Sequence, residues 1–139
     1  MSETKATTLS QFLAENPITD LTDKVFISER FQKLGFAFTI RAMSGEEFNT
    51  YQQQATAVGR HRKVTFDNKL FNELVVINHT VEPNFKDATA IKAAGCTSPE
   101  QYMYSRLLAG EIIELANRIS SLSGFDEDIE ELKKDVKNS

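Results

Sequence analysis

The clearest periodicity along the chain is an alternation. Phe36, Phe38, Ile40 and Ala42 alternate with Ala37, Thr39 and Arg41, which is the period-two pattern of a half-buried strand over 36–42. Val25, Ile27 and Phe31 alternate over 24–31 and predict a partner strand. Between them, Gln32-Lys33-Leu34-Gly35 ends in glycine, as a short hairpin loop that needs a positive φ would. A two-stranded ribbon is marginal by itself, so it must lie against helices, with Phe31, Phe36, Phe38 and Ile40 as its expected core.

The period then changes from two to between three and four. Ser44-Gly45-Glu46-Glu47 has the form of a capping box and predicts a helix from Gly45 to near Gly59, with Phe48, Tyr51, Ala55 and Val58 inward. Phe66, Leu70, Leu74, Ile77 and Val81 predict a buried helix seam that Pro83 closes. Asp87 can cap a short helix that stops at Gly95. Ser98-Pro99-Glu100-Gln101 supplies a cap, a proline at the first helical position and a glutamine at the third. It opens an expected long helix from Pro99 to Ser123, inside which Tyr104, Leu108, Ile112, Leu115, Ile119 and Leu122 form a stripe. That stripe fits a core helix and is also suited to self-association. After Gly124, Asp126 would cap a last short helix with Ile129, Leu132 and Val136 on one face.

The chain before the first strand reads as an arm. Leu9, Phe12 and Leu13 fall at i, i+3 and i+4, on one face of a two-turn helix that Pro17 ends. Two turns are too few to be stable alone in water, so this face must dock on the domain, on a second copy or on a partner. The organisation expected is an N-terminal arm and linker over 1–23 and one globular domain over 24–139, with the hairpin at 24–42 and helices across 45–137. The fold class is α+β, mostly α: one β-hairpin packed against a bundle of about five helices.

Composition sharpens this picture mainly by exclusion. At 139 residues and 40% apolar content the chain can bury one core. Its longest apolar run, Leu74 to Ile77, is far too short for a membrane-spanning helix. No basic start followed by an apolar stretch marks a secretory signal, so a cytoplasmic location is expected. The net charge of −4 is local. Asp126-Glu127-Asp128-Ile129-Glu130-Glu131 carries five carboxylates, and without them the chain would stand at +1. With Lys133, Lys134 and Lys137 after it, the acidic run suits the dipole of the last helix. A basic cluster, Arg60-His61-Arg62-Lys63, lacks interleaved aromatics and an extended basic face, so no nucleic-acid partner is expected.

The chemistry of a catalytic or cofactor site is missing from the sequence. His61 and His79 belong to no metal-ligand spacing, and neither a P-loop nor G-x-G-x-x-G occurs. The single cysteine, Cys96, has no identifiable base beside it and no second cysteine to pair with. No catalytic, cofactor-binding or metal-binding residue is assigned, and an enzyme is not expected.

Taken together in order, several stretches resemble the XkdN-like phage tail assembly chaperones, the tail chaperones of PBSX-type prophages. They are Leu9-Ser10-Gln11-Phe12-Leu13-Ala14-Glu15-Asn16, the Phe-rich segment ending Ile40-Arg41-Ala42-Met43-Ser44, Val81-Glu82-Pro83-Asn84-Phe85, Ser98-Pro99-Glu100-Gln101-Tyr102 and Gly124-Phe125-Asp126-Glu127-Asp128-Ile129-Glu130-Glu131-Leu132. The resemblance spans nearly the whole chain, and it departs in the short basic segment Val58 to Val64. It implies a phage or prophage protein that acts during tail assembly, binds the tape measure protein and keeps it soluble until the tail tube polymerises around it. The major tail tube protein is a second candidate partner, and the chaperone is not expected in the mature virion. The terminal amphipathic faces, Leu9/Phe12/Leu13 and Ile129/Leu132/Val136, are the candidate partner-binding residues. Two other readings remain open at this point: a small DNA-binding prophage regulator, which the basic cluster would serve, and a minor structural tail subunit.

Overall fold

A computed structural model describes residues 8–125. The arm helix α1 (Leu9–Glu15) begins with a capping box in which the Thr8 hydroxyl accepts from the Gln11 amide and the Gln11 side chain accepts from the Thr8 amide, both at 3.2 Å. At its other end the Asn16 side-chain amide donates to the Phe12 carbonyl at 2.8 Å. Pro17 then stops the helix, and a single 3₁₀ turn leads into strand β1 (Thr22–Val25). This strand starts two residues before the expected Lys24, and the Leu21 carbonyl already accepts from Ala42.

The two expected strands pair antiparallel, but they are not joined by a hairpin loop. Strand β2 (Phe38–Arg41) lies beside β1 with Thr22 opposite Arg41 and Val25 opposite Phe38. Between them runs a helix, α2 (Glu29–Leu34). The spacing explains the change: from Ile27 the next apolar residue inward is Phe31, four residues on, which is a helical step. Good helix formers fill the segment, and Glu29 pairs with Lys33 one turn later at 3.4 Å. Gly35 does take the positive φ expected of it, at 75°, but it closes a helix: Phe36 N–H reaches back to the Phe31 carbonyl at 2.9 Å in a Schellman arrangement. This turn leaves Phe36 64% exposed, whereas Phe38 and Ile40 are buried as expected and Phe31 packs edge-on to Phe38 at 4.9 Å.

Helix α3 (Gly45–Ala55) has the expected capping box, with Ser44 and Glu47 exchanging two bonds of 3.1 Å. It ends four residues early. Strand β3 (Thr56–Val58) pairs with β4 (Val64–Phe66) as a small hairpin, with a 3₁₀ turn over Arg60–Arg62 at its tip. Asp67 then caps α4 (Asn68–His79), accepting from the Leu70 amide at 3.0 Å. The expected seam from Phe66 to Val81 is therefore trimmed at both ends. Phe66 belongs to β4, and Val81 to β5 (Thr80–Glu82), which joins the first sheet in the order β1-β2-β5.

Two short helices come next, α5 (Ala88–Ala93), capped by Asp87, and α6 (Pro99–Arg106), capped by Ser98 with proline at its start. The expected long helix breaks after α6: Leu107 and Leu108 are extended, and α7 (Ala109–Leu122) begins anew. In α7 the predicted stripe holds, with Ile112, Leu115 and Ile119 buried. Upstream of the break the phase is lost, so Met103 is buried while Tyr104 and Leu108 are exposed. Helix α4 packs against α3, α6 and α7, and α7 also lies on β1 and β2. The result is an α+β fold, mostly helical, with its core between the three-stranded sheet and the helices. The expected last helix, with Ile129, Leu132 and Val136, lies outside the described residues.

Candidate interaction surface

Two polar clusters penetrate the core and a third ties two helices at the surface. Glu111 is 2% exposed yet ionic: the Arg30 Nε and Nη2 donate to its two oxygens at 2.6 and 2.7 Å, Ser28 donates at 2.6 Å and the Leu108 amide at 2.7 Å. The Arg30 hydrogen bonds, assisted by Ser28 and Leu108, outweigh burial and hold this carboxyl down at about 2. Because Glu111 takes the Leu108 amide at the third position of α7, it restarts the helix where α6 ends. The same Arg30 reaches the Arg106 carbonyl at 3.1 Å and ties α2 to the break.

His79 is fully buried, with Nε2 at 2.8 Å from the Tyr51 hydroxyl and 3.7 Å from Glu47, while its Nδ1 has no hydrogen-bond partner among the described residues. Burial and the nearby Arg41 charge push its pKa down, so the ring is neutral near pH 7. Arg41 instead pairs with Glu47 at 3.3 Å and caps the Asn78 carbonyl at 3.2 Å, which stitches β2 to α3 and α4. The third cluster joins α6 to α4 through the Tyr104 hydroxyl, which donates to Glu73 at 2.8 Å; burial and that carboxylate raise the Tyr104 pKa. Cys96 is half-buried, and its Sγ lies 3.6 Å from the Ala94 carbonyl and the Ser105 hydroxyl. Among the described residues no group of three or more His, Cys, Asp or Glu could hold a metal ion, and no helix is long and apolar enough to cross a membrane.

Apolar surface is what stands out. The structure places Leu9, Phe12 and Leu13 together on α1 and covers none of them: they are 74, 51 and 65% exposed, and α1 has no buried residue. A second patch lies on the β3–β4 hairpin, where Val58, Val64 and Phe66 are all exposed on one face. A third lines the helix break, where Tyr104, Leu107, Ala109, Ile112 and Ile113 border a groove of about 320 Å³ between α4, α6 and α7. Sequence reasoning misses the second and third. The hairpin has a faint signal in the β-branched and glycine-punctuated run Thr56 to Thr65, and the break has one in the Glu at 111 on an otherwise apolar face.

The described residues form a small helical α+β domain that offers apolar patches to its surroundings and keeps most of its buried polar groups for internal ties. The chain belongs to the family of Phage XkdN-like tail assembly chaperone proteins, which it matches over residues 9–137. It is similar to the protein YqbN of Bacillus subtilis strain 168, at 30% identity over 94% of this chain and 93% of YqbN. It is also similar to the phage-like element PBSX protein XkdN of the same strain, at 27% identity with the same coverage. The crystal structure of YqbN superposes with a TM-score of 0.66 and 25% identity over 88% of this chain and all of that one.

Proposed function

We propose that this tail assembly chaperone binds the tape measure protein and keeps it soluble until the tail tube forms, acting by binding rather than by catalysis. The observation that carries this reading is the arm helix. Leu9, Phe12 and Leu13 are preformed as one apolar face by a capped helix, and nothing among the described residues covers that face. A client that is long, helical and apolar would lay its own stripe along such a face, in helix-to-helix contact with anchors at i, i+3 and i+4. Ile129, Leu132 and Val136 recur at helical spacing as well and are proposed as a second contact element. The protein would work in the host-cell cytoplasm and leave before the virion matures, with the major tail tube protein as a further partner.

The test is capture of the cognate tape measure protein by the full chain and by a chain lacking residues 1–16. That truncation stops short of Leu21 and β1 and so spares the sheet. Loss of capture with an unchanged melting temperature supports the reading, and unchanged capture removes the arm from it. Mass spectrometry of purified particles tests the rest, since a chaperone of this kind should be missing from them.

A further inference from the structure

The β3–β4 hairpin is a two-stranded sheet, so each of its strands has one free edge among the described residues. Its hydrogen-bond phase shows what each edge offers. Gly59 donates to the Lys63 carbonyl at 2.7 Å, and Asp67 donates to the Ala55 carbonyl at 2.8 Å. Bonded positions recur at every second residue, so Ala57 and Thr65 are the bonded pair between those two. Val64 and Phe66 therefore turn their backbone N–H and C=O groups away from β3, and all of β4 is exposed. The edge of β3 is already partly used. There the Thr56 amide donates to the Gln53 carbonyl, and the Thr56 hydroxyl to the Gln52 carbonyl at 2.6 Å. On β4 the outward donors and acceptors of Val64 and Phe66 have no backbone partner among the described residues.

The sequence of this edge complements itself. When Lys63-Val64-Thr65-Phe66-Asp67 is laid antiparallel on a second copy with Thr65 on the two-fold axis, Val64 faces Phe66 and Lys63 faces Asp67, each twice by symmetry. The same register lets the outward backbone groups meet, since Val64 and Phe66 become the pairs that exchange two hydrogen bonds. One face then joins Val64 and Phe66 of both copies, continuous with the Phe66–Phe71 contact at 5.5 Å, and the other face carries the Lys–Asp pairs. Both charges are available for this. Lys63 has no carboxylate partner among the described residues, and Asp67 accepts the Leu70 amide on one oxygen only. The basic tips also stay apart, because the antiparallel arrangement sends them to opposite ends of the seam. Arg62 and its counterpart stand roughly 20 Å from each other, well beyond a Debye length of about 8 Å.

We infer that the free edge of β4 pairs with β4 of a second copy of this chain, joining two hairpins into one antiparallel sheet in the order β3-β4-β4-β3 about a two-fold axis at Thr65. Backbone hydrogen bonds between Val64 and Phe66, their side-chain contacts and the Lys63–Asp67 ion pairs hold the seam. A seam three residues long on each chain lies at the low end of protein interfaces, so the dimer forms and separates with concentration and is not permanent. It covers the exposed Val64 and Phe66 and leaves the apolar face of α1 outside the seam. A pair therefore carries two arm faces to whatever the chaperone binds. The pairing does not depend on the identity of that client.

Single-cysteine trapping in the full chain, in a Cys96→Ser background, tests it. Thr65→Cys sets two thiols opposite each other in a non-hydrogen-bonded pair, with Cα atoms about 4.5 Å apart and within disulfide reach. Ala57→Cys is exposed as well, but on β3 its thiols would stand three strand spacings apart, roughly 14 Å. Under mild oxidation Thr65→Cys should give the cross-linked dimer at least ten-fold faster than Ala57→Cys. Adding Lys63→Glu should slow it at least five-fold, and Asp67→Asn, which keeps the α4 cap but removes the charge, should slow it as well. Sedimentation of the Cys96→Ser chain should show a monomer–dimer equilibrium that moves toward dimer up to millimolar protein, and Lys63→Glu should move it back. Circular dichroism of each variant confirms that the fold is intact. Equal rates for the two cysteines, a rate indifferent to either charge change, or a chain that stays monomeric at millimolar concentration would overturn the inference. Faster closure of Ala57→Cys would overturn it too and assign the seam to β3.

Discussion

Helices α1 and α7 make an instructive pair. Both open with a side chain that accepts a backbone amide near the start, and both carry a stripe of apolar residues at helical spacing. In α7 the stripe disappears into the core, with Leu115 and Ile119 wholly buried beneath α4 and the sheet. In α1 the same kind of stripe is left in solvent. Periodicity therefore reports that a helix will have an apolar face, and the neighbours decide whether that face supports the fold or is kept for a partner. Exposing Leu9, Phe12 and Leu13 gives up the transfer free energy of three large side chains, roughly 1.5–3 kcal/mol each if fully buried. A chain that holds such a face in a capped helix can recover that energy only on contact with something else.

The sharpest way to break the comparison is to make the same truncation on both faces. Leu115→Ala should cost about 3 kcal/mol, because it leaves a cavity beneath α4, whereas Leu13→Ala should stay within about 0.5 kcal/mol. Chemical denaturation of the two variants measures both, and equal losses would mean that the arm is packed as tightly as the core. Next in size is Glu111→Ala, expected to cost about 2 kcal/mol, since it unpairs Ser28 and the Leu108 amide and loosens the start of α7. Its pH signature is set by the sign of the shift. Glu111 ordinarily titrates at 4.5 and is held at about 2, so its contribution is full above 4.5 and is lost as pH falls toward 2. The variant should therefore show a flatter acid-denaturation curve over that range.

His79 acts in a higher window. Its folded pKa lies below the ordinary 6.5, so the unfolded chain takes up the proton first and stability falls as pH drops below 6.5. The loss is at most about 1.4 kcal/mol per pH unit, and His79→Leu should remove this slope as pH falls below the ordinary 6.5, even where it lowers stability overall. The smallest expected change in stability belongs to Leu9→Ser/Phe12→Ser/Leu13→Ser. Its melting temperature should match that of the parent chain while capture of the tape measure protein falls. An equal loss in both measurements would place α1 with the core elements.

Where the sequence can be read and where it cannot divides along physical lines. The capping box at Ser44 and the cap at Ser98 are legible because they are local: a side chain and an amide three residues apart need no tertiary context. The α7 stripe and the alternation of β2 are legible for the same reason. The connection between β1 and β2 reads wrongly as a hairpin loop because Val25, Ile27 and Phe31 fit a strand loosely and a helix nearly as well, and only the packing of Phe31 on Phe38 decides between them. Strands β3, β4 and β5 are three residues each and take their structure from their partners, so the sequence offers at most the faint signal of the run Thr56 to Thr65. The break at Leu107 lies inside a stretch of good helix formers. It depends on Arg30 and Ser28, some eighty positions away, gripping Glu111. Of the candidate contact residues, Leu9, Phe12 and Leu13 emerge from spacing alone, while the hairpin face needs the β3–β4 pairing to bring Val58 beside Val64.

The sequence alone determined a mostly helical α+β domain, the helix starts capped by Ser44, Asp87 and Ser98, the absence of recognisable catalytic motifs and the family to which the chain belongs. These rest on local spacing, on residue chemistry and on the order of short motifs, all of which survive without knowledge of neighbours. Tertiary structure decided which apolar stripes are covered, where the long C-terminal helical stretch breaks, and that the small β3–β4 hairpin holds Val58 beside Val64 in solvent. Those outcomes are set by contacts between residues distant in sequence, whose burial and charge pairing outweigh the modest preferences of the local chain.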